Sequence, residues 1–425
     1  MSLTASKISS PLPFAEPPEE VGVSSERLAR IRPSLERFIR EKMVPNLVTL
    51  VARHGKIVHY DAQGYMDFES KRPAGQDTIY RLWSNTKPIT GVATMICVEE
   101  GMLTLDDPVS KYIPAFKNQR VRATAGQGPR GAPLTVPVAR DMTVRDCLRN
   151  TTGLITAQKA PMSWLTEFKD VISKAGLAGG PGGGAPANIR ERINALAQLP
   201  LGCQPGTEFE YQVGYPIAGV VLETVTGQTL EEFYQKRIFQ PLGMNESSFY
   251  LEKGRLDRFP TVYRPAQEDG KWKLEVSEEP AKSEKVIGTR SYFEAGGGGG
   301  GVLSTAADYA RFAQMLLNKG ELDGVRIISR KSLEMMTSSH TGDINVMGRQ
   351  GFGFGIGVGV YKGGGIPAYR SPGTFGWGGA AGTTFFVDPK EDLFAICFTQ
   401  VFMHQSMPGN TYQEEFERLV YESLS

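Results

Sequence analysis

The segment Arg81-Leu-Trp-Ser-Asn-Thr-Lys-Pro-Ile-Thr90 places a serine hydroxyl at Ser84 and a lysine amine three residues later at Lys87. Three residues make nearly one helical turn, so on a helix the two side chains share a face and the amine can reach the hydroxyl. Burial disfavours the ammonium form of a lysine, and a neutral amine can take a serine proton as the oxygen attacks a carbonyl. The setting fits: a strand-like Thr78-Ile-Tyr-Arg-Leu82 leads in, and Ile89, Val92, Met95 and Ile96 follow with helical spacing to a stop at Gly101. Ser84 is therefore predicted at a helix start, where unpaired N–H groups and the helix dipole favour an alkoxide and an oxyanion. Taken alone, the pair also reads as a capping serine with a solvated lysine. Partners elsewhere in the chain have to decide.

Other chemistries have little to work with. His54, His59, His340 and His404 form no H-x-x-x-H or H-E-x-x-H group, so neither a metal site nor a histidine-based triad is expected, and no cofactor is called for. Cys97, Cys147, Cys203 and Cys397 are isolated in mostly apolar surroundings, which points to free buried thiols. The run Gly296–Gly301 lacks a following Lys-Ser/Thr and reads as a packing loop rather than a phosphate cradle. The alternating glycines of Gly351-Phe-Gly-Phe-Gly-Ile-Gly-Val-Gly359 have no helix after them, so they read as strand positions that another backbone approaches closely.

The elements that must position Ser84 can be read in order. Residues 24–42 carry an amphipathic helix opened by Ser24 or Ser25, which Pro33 should bend or shorten. Asn46–Arg53 and Lys56–Tyr60 flank His54-Gly55, a two-residue hairpin signal. After the Ser84 helix comes a basic stretch with Gly and Pro to about Pro137, read as a surface excursion, then a short helix at Val144–Leu148 and a flexible loop at Ala175–Ala185. Helical patterns resume at 188–199, 215–226 and 229–239, and Ser304–Leu317 reads as a capped amphipathic helix. Strand character returns at Phe352–Tyr361, Ser371–Trp377, Thr383–Asp388 and Leu393–Val401, and a last helix at 412–424 should cover the sheet.

These elements predict an α/β (α+β) fold, with one antiparallel β-sheet flanked by helices and a mostly helical lobe beside it. The sheet domain is expected from residues 1–83 and 290–425, the helical one from 84–289, with Ser84 where they meet. The 425 residues are 40% hydrophobic and 22% charged, enough for a substantial core. Lys+Arg 47 against Asp+Glu 46 leaves no field to draw nucleic acid or an anionic membrane surface. Small-molecule partners are expected, with no nucleic acid and no membrane. The first residues lack the apolar core of a signal peptide and no apolar run spans a bilayer, so the expected location is cytoplasmic.

Two more segments complete the set. Pro205-Gly-Thr-Glu-Phe-Glu-Tyr-Gln-Val-Gly-Tyr215 presents Tyr211 just before a helix, and Gly376-Trp-Gly-Gly-Ala-Ala-Gly382 presents a glycine-flanked strand edge. Together with the Ser84 segment, with Leu148-Arg-Asn-Thr-Thr-Gly-Leu154 and with the Ser304–Leu317 helix, the chain resembles the serine β-lactamase, D-Ala-D-Ala peptidase and esterase superfamily. Within it the likeness is closest to the family VIII carboxylesterases, which look like class C β-lactamases but hydrolyse esters.

The resemblance implies a β-lactamase/transpeptidase-like fold and a site residue by residue. Ser84 matches the nucleophile, Lys87 its lysine and Tyr211 the tyrosine of the Y-x-N element; Trp377, Gly378 and Gly379 take the place of the K-T-G strand as substrate-binding residues. Ala380 then supplies one oxyanion-hole N–H and Ser84 the other. Two departures stand out: Val213 replaces the asparagine of Y-x-N, and Trp377 replaces the lysine of K-T-G. The first removes an amide that would hold a side-chain carbonyl, the second a cation that would bind a carboxylate. Both losses favour neutral esters with an apolar acyl or alcohol part over anionic penicillins or D-alanyl peptides; short-chain esters are the expected substrates, with weak β-lactam hydrolysis as a residual activity. The competing expectations are a β-lactamase, a D-amino-acid peptidase/amidase or an acyltransferase on the same site, and a non-catalytic recognition module.

Overall fold

His54 and Gly55 both take the left-handed conformation, at φ 51° and 75°, that a two-residue type I′ turn demands. They join β1 (Asn46–Arg53) to β2 (Lys56–Gly64), as the hairpin signal predicts. The computed structural model of the chain describes residues 12–127, 133–154, 189–211, 213–251, 253–279, 299–365 and 369–425. Four short antiparallel pairs come next: β3 (Tyr80–Arg81) with β8 (Leu303–Ser304), β4 (Arg120–Gln127) with β5 (Pro133–Pro137), β6 (Val262–Glu268) with β7 (Lys271–Glu278), and β9 (Glu321–Leu322) with β10 (Val325–Arg326). The strands β11 (Phe352–Phe354), β12 (Gly359–Tyr361), β13 (Phe375–Gly378), β14 (Thr384–Asp388) and β15 (Leu393–Phe398) complete a seven-stranded sheet in the order β11-β12-β13-β14-β15-β1-β2. Every pairing in it is antiparallel, so the two ends of the chain meet where β15 lies against β1.

Side chains alternate across this sheet with the period of two that a pleated strand imposes. Phe394, Ile396 and Phe398 of β15 join Val48 and Leu50 of β1 in one core, filled from the helices Thr86–Glu99 and Ala306–Leu317. Leu393, Ala395 and Cys397 face the other way, under Leu35 and Phe38 of the helix Ile31–Arg40 and Phe416 and Leu419 of the helix Tyr412–Glu422. Each such side chain withdrawn from water contributes about 1.5–3 kcal/mol. The sheet is therefore a packed base for β13, an interior strand between β12 and β14.

Four expectations need correction. The first helix is two: Ser24 caps Ser25–Leu28, and a second helix starts at Ile31. Pro33 falls in the first turn of the second, because its ring would clash with the carbonyl of residue 29 had the helix run through. The helix at 304–317 begins at Ala306, with Thr305 rather than Ser304 as its cap. Phe352–Tyr361 is a hairpin, not one strand. Gly355 N–H bonds Val358 O at 2.8 Å, Gly357 sits at φ 90°, and a Cβ there would lie 2.6 Å from the Lys87 carbonyl. Gly357 thus admits the backbone of the Ser84 helix, and Gly355 that of the helix end at Met336, where a Cβ would lie 2.2 Å from the carbonyl oxygen. Finally, the middle of the chain holds the β4–β5 and β6–β7 ladders as well as its helices, Val144–Leu148, Ile189–Leu196, Gly214–Thr226 and Leu230–Tyr234. The predicted loop at 175–185 and residues 296–298 of the glycine run lie outside the described residues.

Candidate active site

Ser84 occupies a single 3-10 turn, Trp83–Asn85, that runs into the helix Thr86–Glu99. The turn is held from several sides. Leu82 N–H donates to Val302 O at 2.9 Å, Thr383 Oγ1 donates to Leu82 O at 2.8 Å, and Tyr309 OH donates to Asn85 O at 2.9 Å. Trp83 sits at φ 50°, a conformation that costs a bulky residue on the order of 1–3 kcal/mol. Its ring is gripped by the Arg81 guanidinium at 3.8 Å and the Phe402 ring at 5.2 Å.

The buried Lys87 reaches back one turn. Its Nζ donates to Ser84 Oγ at 2.9 Å and to Gly299 O at 2.8 Å, with the Tyr211 and Tyr215 ring centroids at 4.7 and 5.4 Å. The three-residue spacing thus brings amine and hydroxyl into contact.

Tyr211 and Trp377 meet across 166 residues of sequence: Trp377 Nε1 donates to Tyr211 OH at 2.7 Å. Phe354 packs edge-on to the Trp377 ring at 4.8 Å, and Phe209 stacks on Tyr211 at 6.3 Å. Gly359 makes room for the indole, since a Cβ there would lie 2.8 Å from its Cζ3. Val213 is buried in the core just before the helix Gly214–Thr226, so no amide is presented from that position.

After β13 the chain turns sharply. Gly379 N–H donates to Thr383 O at 2.6 Å and Gly382 N–H to Gly379 O at 3.0 Å, leaving Ala380 and Ala381 at the corner. A Cβ on Gly379 would lie 2.3 Å from Leu82 O and 3.2 Å from Trp83 Cβ. Only glycine lets this turn close onto the serine's own segment. Gly378 is exposed at the strand end, and Ala380 is half-buried.

With this arrangement in view, the comparisons with known proteins can be read. A family model described as Beta-lactamase matches residues 35–415. The chain belongs to the beta-lactamase family. Esterase EstB of Burkholderia gladioli is 28% identical over 396 residues, covering 90% of this chain and 92% of that protein. Lovastatin esterase of Penicillium rubens is 28% identical over 369 residues, covering 80% and 85%. The solved structure of EstCE1, described as a hydrolase with promiscuous acyltransferase activity, matches with a TM-score of 0.72 at 24% identity over 93% of this chain and 99% of that one. The fold is accordingly that of the β-lactamase/transpeptidase type, an antiparallel sheet with helices.

In this beta-lactamase-family chain the four residues Ser84, Lys87, Tyr211 and Trp377 form one contact chain, and Gly379 packs against the Ser84 turn. Three participants escape a reading of sequence alone. Gly299 contributes a carbonyl, for which the glycine run was the only signal; Phe354 buttresses Trp377, and Phe402 reaches Trp83. The histidines lie elsewhere: His54 bonds Asp392 at 2.8 Å, His59 bonds Thr49 Oγ1 at 2.8 Å, and His340 bonds Arg145 at 3.1 Å. His404 is 2% exposed, and burial pushes its imidazole down to about 4. Cys97, Cys147 and Cys397 are buried free thiols, while Cys203 is half-buried. Among the described residues no group of His, Cys, Asp and Glu is placed to hold a metal, and no helix is long and apolar enough to cross a membrane. A polar cavity of 740 Å³ lined by Gln228, Glu232, Lys236, Ser248, Tyr250 and Arg255, among others, contains none of the four contact residues.

Proposed function

We propose that this chain is a serine carboxylesterase that hydrolyses neutral, short-chain esters through an acyl-enzyme on Ser84. The observation that carries the reading is the Trp377 indole donating to the Tyr211 hydroxyl at 2.7 Å, where the penicillin-recognising pattern has a lysine. An indole N–H is a neutral donor already engaged, and it offers a substrate carboxylate no charge. The names of Esterase EstB and lovastatin esterase, which align over most of the chain, support the same chemistry.

The mechanism follows from the contacts. Along the 2.9 Å Ser84–Lys87 contact the hydroxyl proton passes to the neutral amine as Oγ bonds to the ester carbonyl carbon. The backbone N–H groups of Ser84 and Ala380 stabilise the oxyanion, each such donor being worth roughly 10²–10³ in rate. Tyr211, against Lys87, relays the proton to the departing alkoxide, and the C–O bond to the alcohol breaks. Water then enters, its proton returns through Tyr211 and Lys87, and the acid leaves as Ser84 regains its hydrogen. Trp377, Gly378 and Gly379 line the substrate's path along β13. No cofactor or metal enters these steps.

We further place the sheet segments 1–83 and 290–425 and the mainly helical segment 84–289 as the two walls of the site. The chain acts in the cytoplasm on small-molecule esters. The test is Ser84→Ala against p-nitrophenyl butyrate and nitrocefin, with a phosphonate ester to label the nucleophile. Loss of ester turnover and of labelling, with wild-type preference for the butyrate over nitrocefin, is the expected result. Retained turnover in Ser84→Ala overturns the nucleophile, and a wild-type preference for nitrocefin overturns the substrate class.

A further inference from the structure

The two amides assigned to the oxyanion hole lie far apart in sequence, yet consecutive residues of one short segment touch both of their neighbourhoods. Phe402 packs its ring on Trp83, the residue before Ser84, at 5.2 Å between centroids. Met403 N–H donates to Ala380 O at 2.7 Å, and Val401 N–H donates to Ala381 O at 2.8 Å. The segment is itself pinned from outside: Phe402 N–H donates to Tyr263 O at 2.7 Å, and Tyr263 N–H donates to Gln400 O at 2.9 Å, so the start of β6 braces it. Met403 adopts φ 57°, a left-handed corner that turns the chain away directly after its bond to Ala380. Trp83 is likewise left-handed, at φ 50°. Two sparsely populated backbone conformations thus occur close to the proposed donors, one in the residue before Ser84 and one in the residue bonded to Ala380 O, and strain of that kind persists only where surrounding contacts over-determine it.

We propose that the Val401–Met403 segment is the clamp that sets the spacing of the two oxyanion amides, with Phe402 acting as a positioning residue through Trp83 and the Met403 amide acting through the Ala380 carbonyl. The proposal rests on the assignment of Ser84 and Ala380 above. Oxyanion donors work only within a few tenths of an ångström of their place, and a misplacement of about 1 Å costs on the order of 10²-fold in rate. Phe402 touches neither the serine oxygen nor Lys87 in the contacts described, so its effect runs through geometry.

The experiment is a double-mutant cycle on Trp83→Ala and Phe402→Ala in the full chain, each variant first shown to be folded by circular dichroism and a thermal melt. Three quantities are read: kcat and KM for p-nitrophenyl butyrate, the second-order rate of inactivation by a p-nitrophenyl alkylphosphonate, and the ester profile from acetate to octanoate. Phe402→Ala is expected to lower kcat and the inactivation rate together, by about 10- to 100-fold, with KM and the chain-length profile unmoved. Phe402→Tyr should restore most of the loss. The double variant should be little worse than Trp83→Ala, because Phe402 acts through the Trp83 ring. Should Phe402→Ala fail to fold, Phe402→Leu carries the same cycle with a loss of roughly 3- to 10-fold.

Unchanged kcat, additive losses, or a shift to longer esters with turnover restored would each overturn the clamp, the last by making Phe402 a wall of the acyl pocket. Ser84→Ala is run alongside. Turnover surviving in that variant would count against the esterase assignment, whereas an inactive Ser84→Ala beside an unaffected Phe402→Ala counts against the clamp alone.

Discussion

On one flank of Ser84 stand groups that can carry a proton, the Lys87 amine at 2.9 Å and the Tyr211 hydroxyl bonded to Trp377. On the other flank, the Gly379–Thr383 turn and the chain from Thr399 to His404, the contacts are made by main chain, by the Thr383 hydroxyl and by neutral side chains. The His404 ring there is held neutral by burial, and the Tyr412 hydroxyl donates to Gly382 O at 3.1 Å. The difference is instructive: the side chains able to exchange a proton cluster at Lys87, while the Gly379–Thr383 turn is held largely by amides and carbonyls, the kind of frame that the proposed oxyanion donors need. The Arg81 guanidinium next to this frame is stacked on the Trp83 ring at 3.8 Å.

Replacing the oxygen that both flanks share should have the largest effect. Ser84→Ala is expected to lower kcat/KM for p-nitrophenyl butyrate by about 10⁴-fold or more, and Lys87→Ala by nearly as much, because the two act as a unit. A Lys87→Ala variant within tenfold of wild type would mean that the proton-carrying flank is not one. Next comes Tyr211→Phe, which keeps the ring on Lys87 and removes only the hydroxyl. A relay of this kind is worth about 10²–10³-fold, and a loss under threefold would reduce Tyr211 to packing.

The neutral flank makes a prediction in stability rather than rate. The folded-state pKa of His404 is lowered from 6.5 to about 4 by burial. As pH falls below 6.5 the unfolded chain binds a proton that the folded chain refuses, so stability falls with pH and levels off below about 4. Between pH 7.5 and 4.5 this amounts to about 2–3 kcal/mol. Urea unfolding of wild type and His404→Phe at both pH values isolates it, since His59 and His340, also lowered by burial, are common to both proteins. Equal losses in the two proteins would mean that His404 is reached by water. Ester hydrolysis by His404→Phe at pH 7.5 should persist.

What was legible in the sequence was local. The spacing of Ser84 and Lys87 depends on one helical turn, the His54-Gly55 hairpin on two left-handed residues, and the Val144–Leu148 helix on the Thr143 cap, so each is fixed within a few residues. The Tyr211–Trp377 bond depends on the register of β13 against the mid-chain and on the missing Cβ of Gly359. Neither appears in the composition of either segment. The β6–β7 ladder was missed because little of it beyond Val262, Tyr263 and Leu274 meets a hydrophobic core, which leaves Trp272 and Val276 exposed and blurs the alternation. Phe402 was invisible for a related reason, since its partner Trp83 adopts a conformation that the sequence of a bulky residue does not advertise.

The smallest expected effect is a selectivity at Trp377, the residue proposed to line the substrate's path. Trp377→Phe keeps the ring against Phe354 and over Gly359 and removes only the N–H on Tyr211. One neutral hydrogen bond contributes about 0.5–1.5 kcal/mol, so ester turnover should fall roughly 3- to 10-fold while the ratio of nitrocefin to p-nitrophenyl butyrate hydrolysis stays put. Trp377→Lys supplies a cation instead. The position is half-buried, so a charge-assisted bond to the cephalosporin carboxylate should be worth about 1–2 kcal/mol, raising that ratio roughly 5- to 30-fold. The measurement is kcat/KM for both substrates in the three folded proteins. A ratio unchanged in the lysine variant would mean that Trp377 anchors Tyr211 but does not face the substrate's leaving side, and the preference for neutral esters would then have to come from elsewhere on β13.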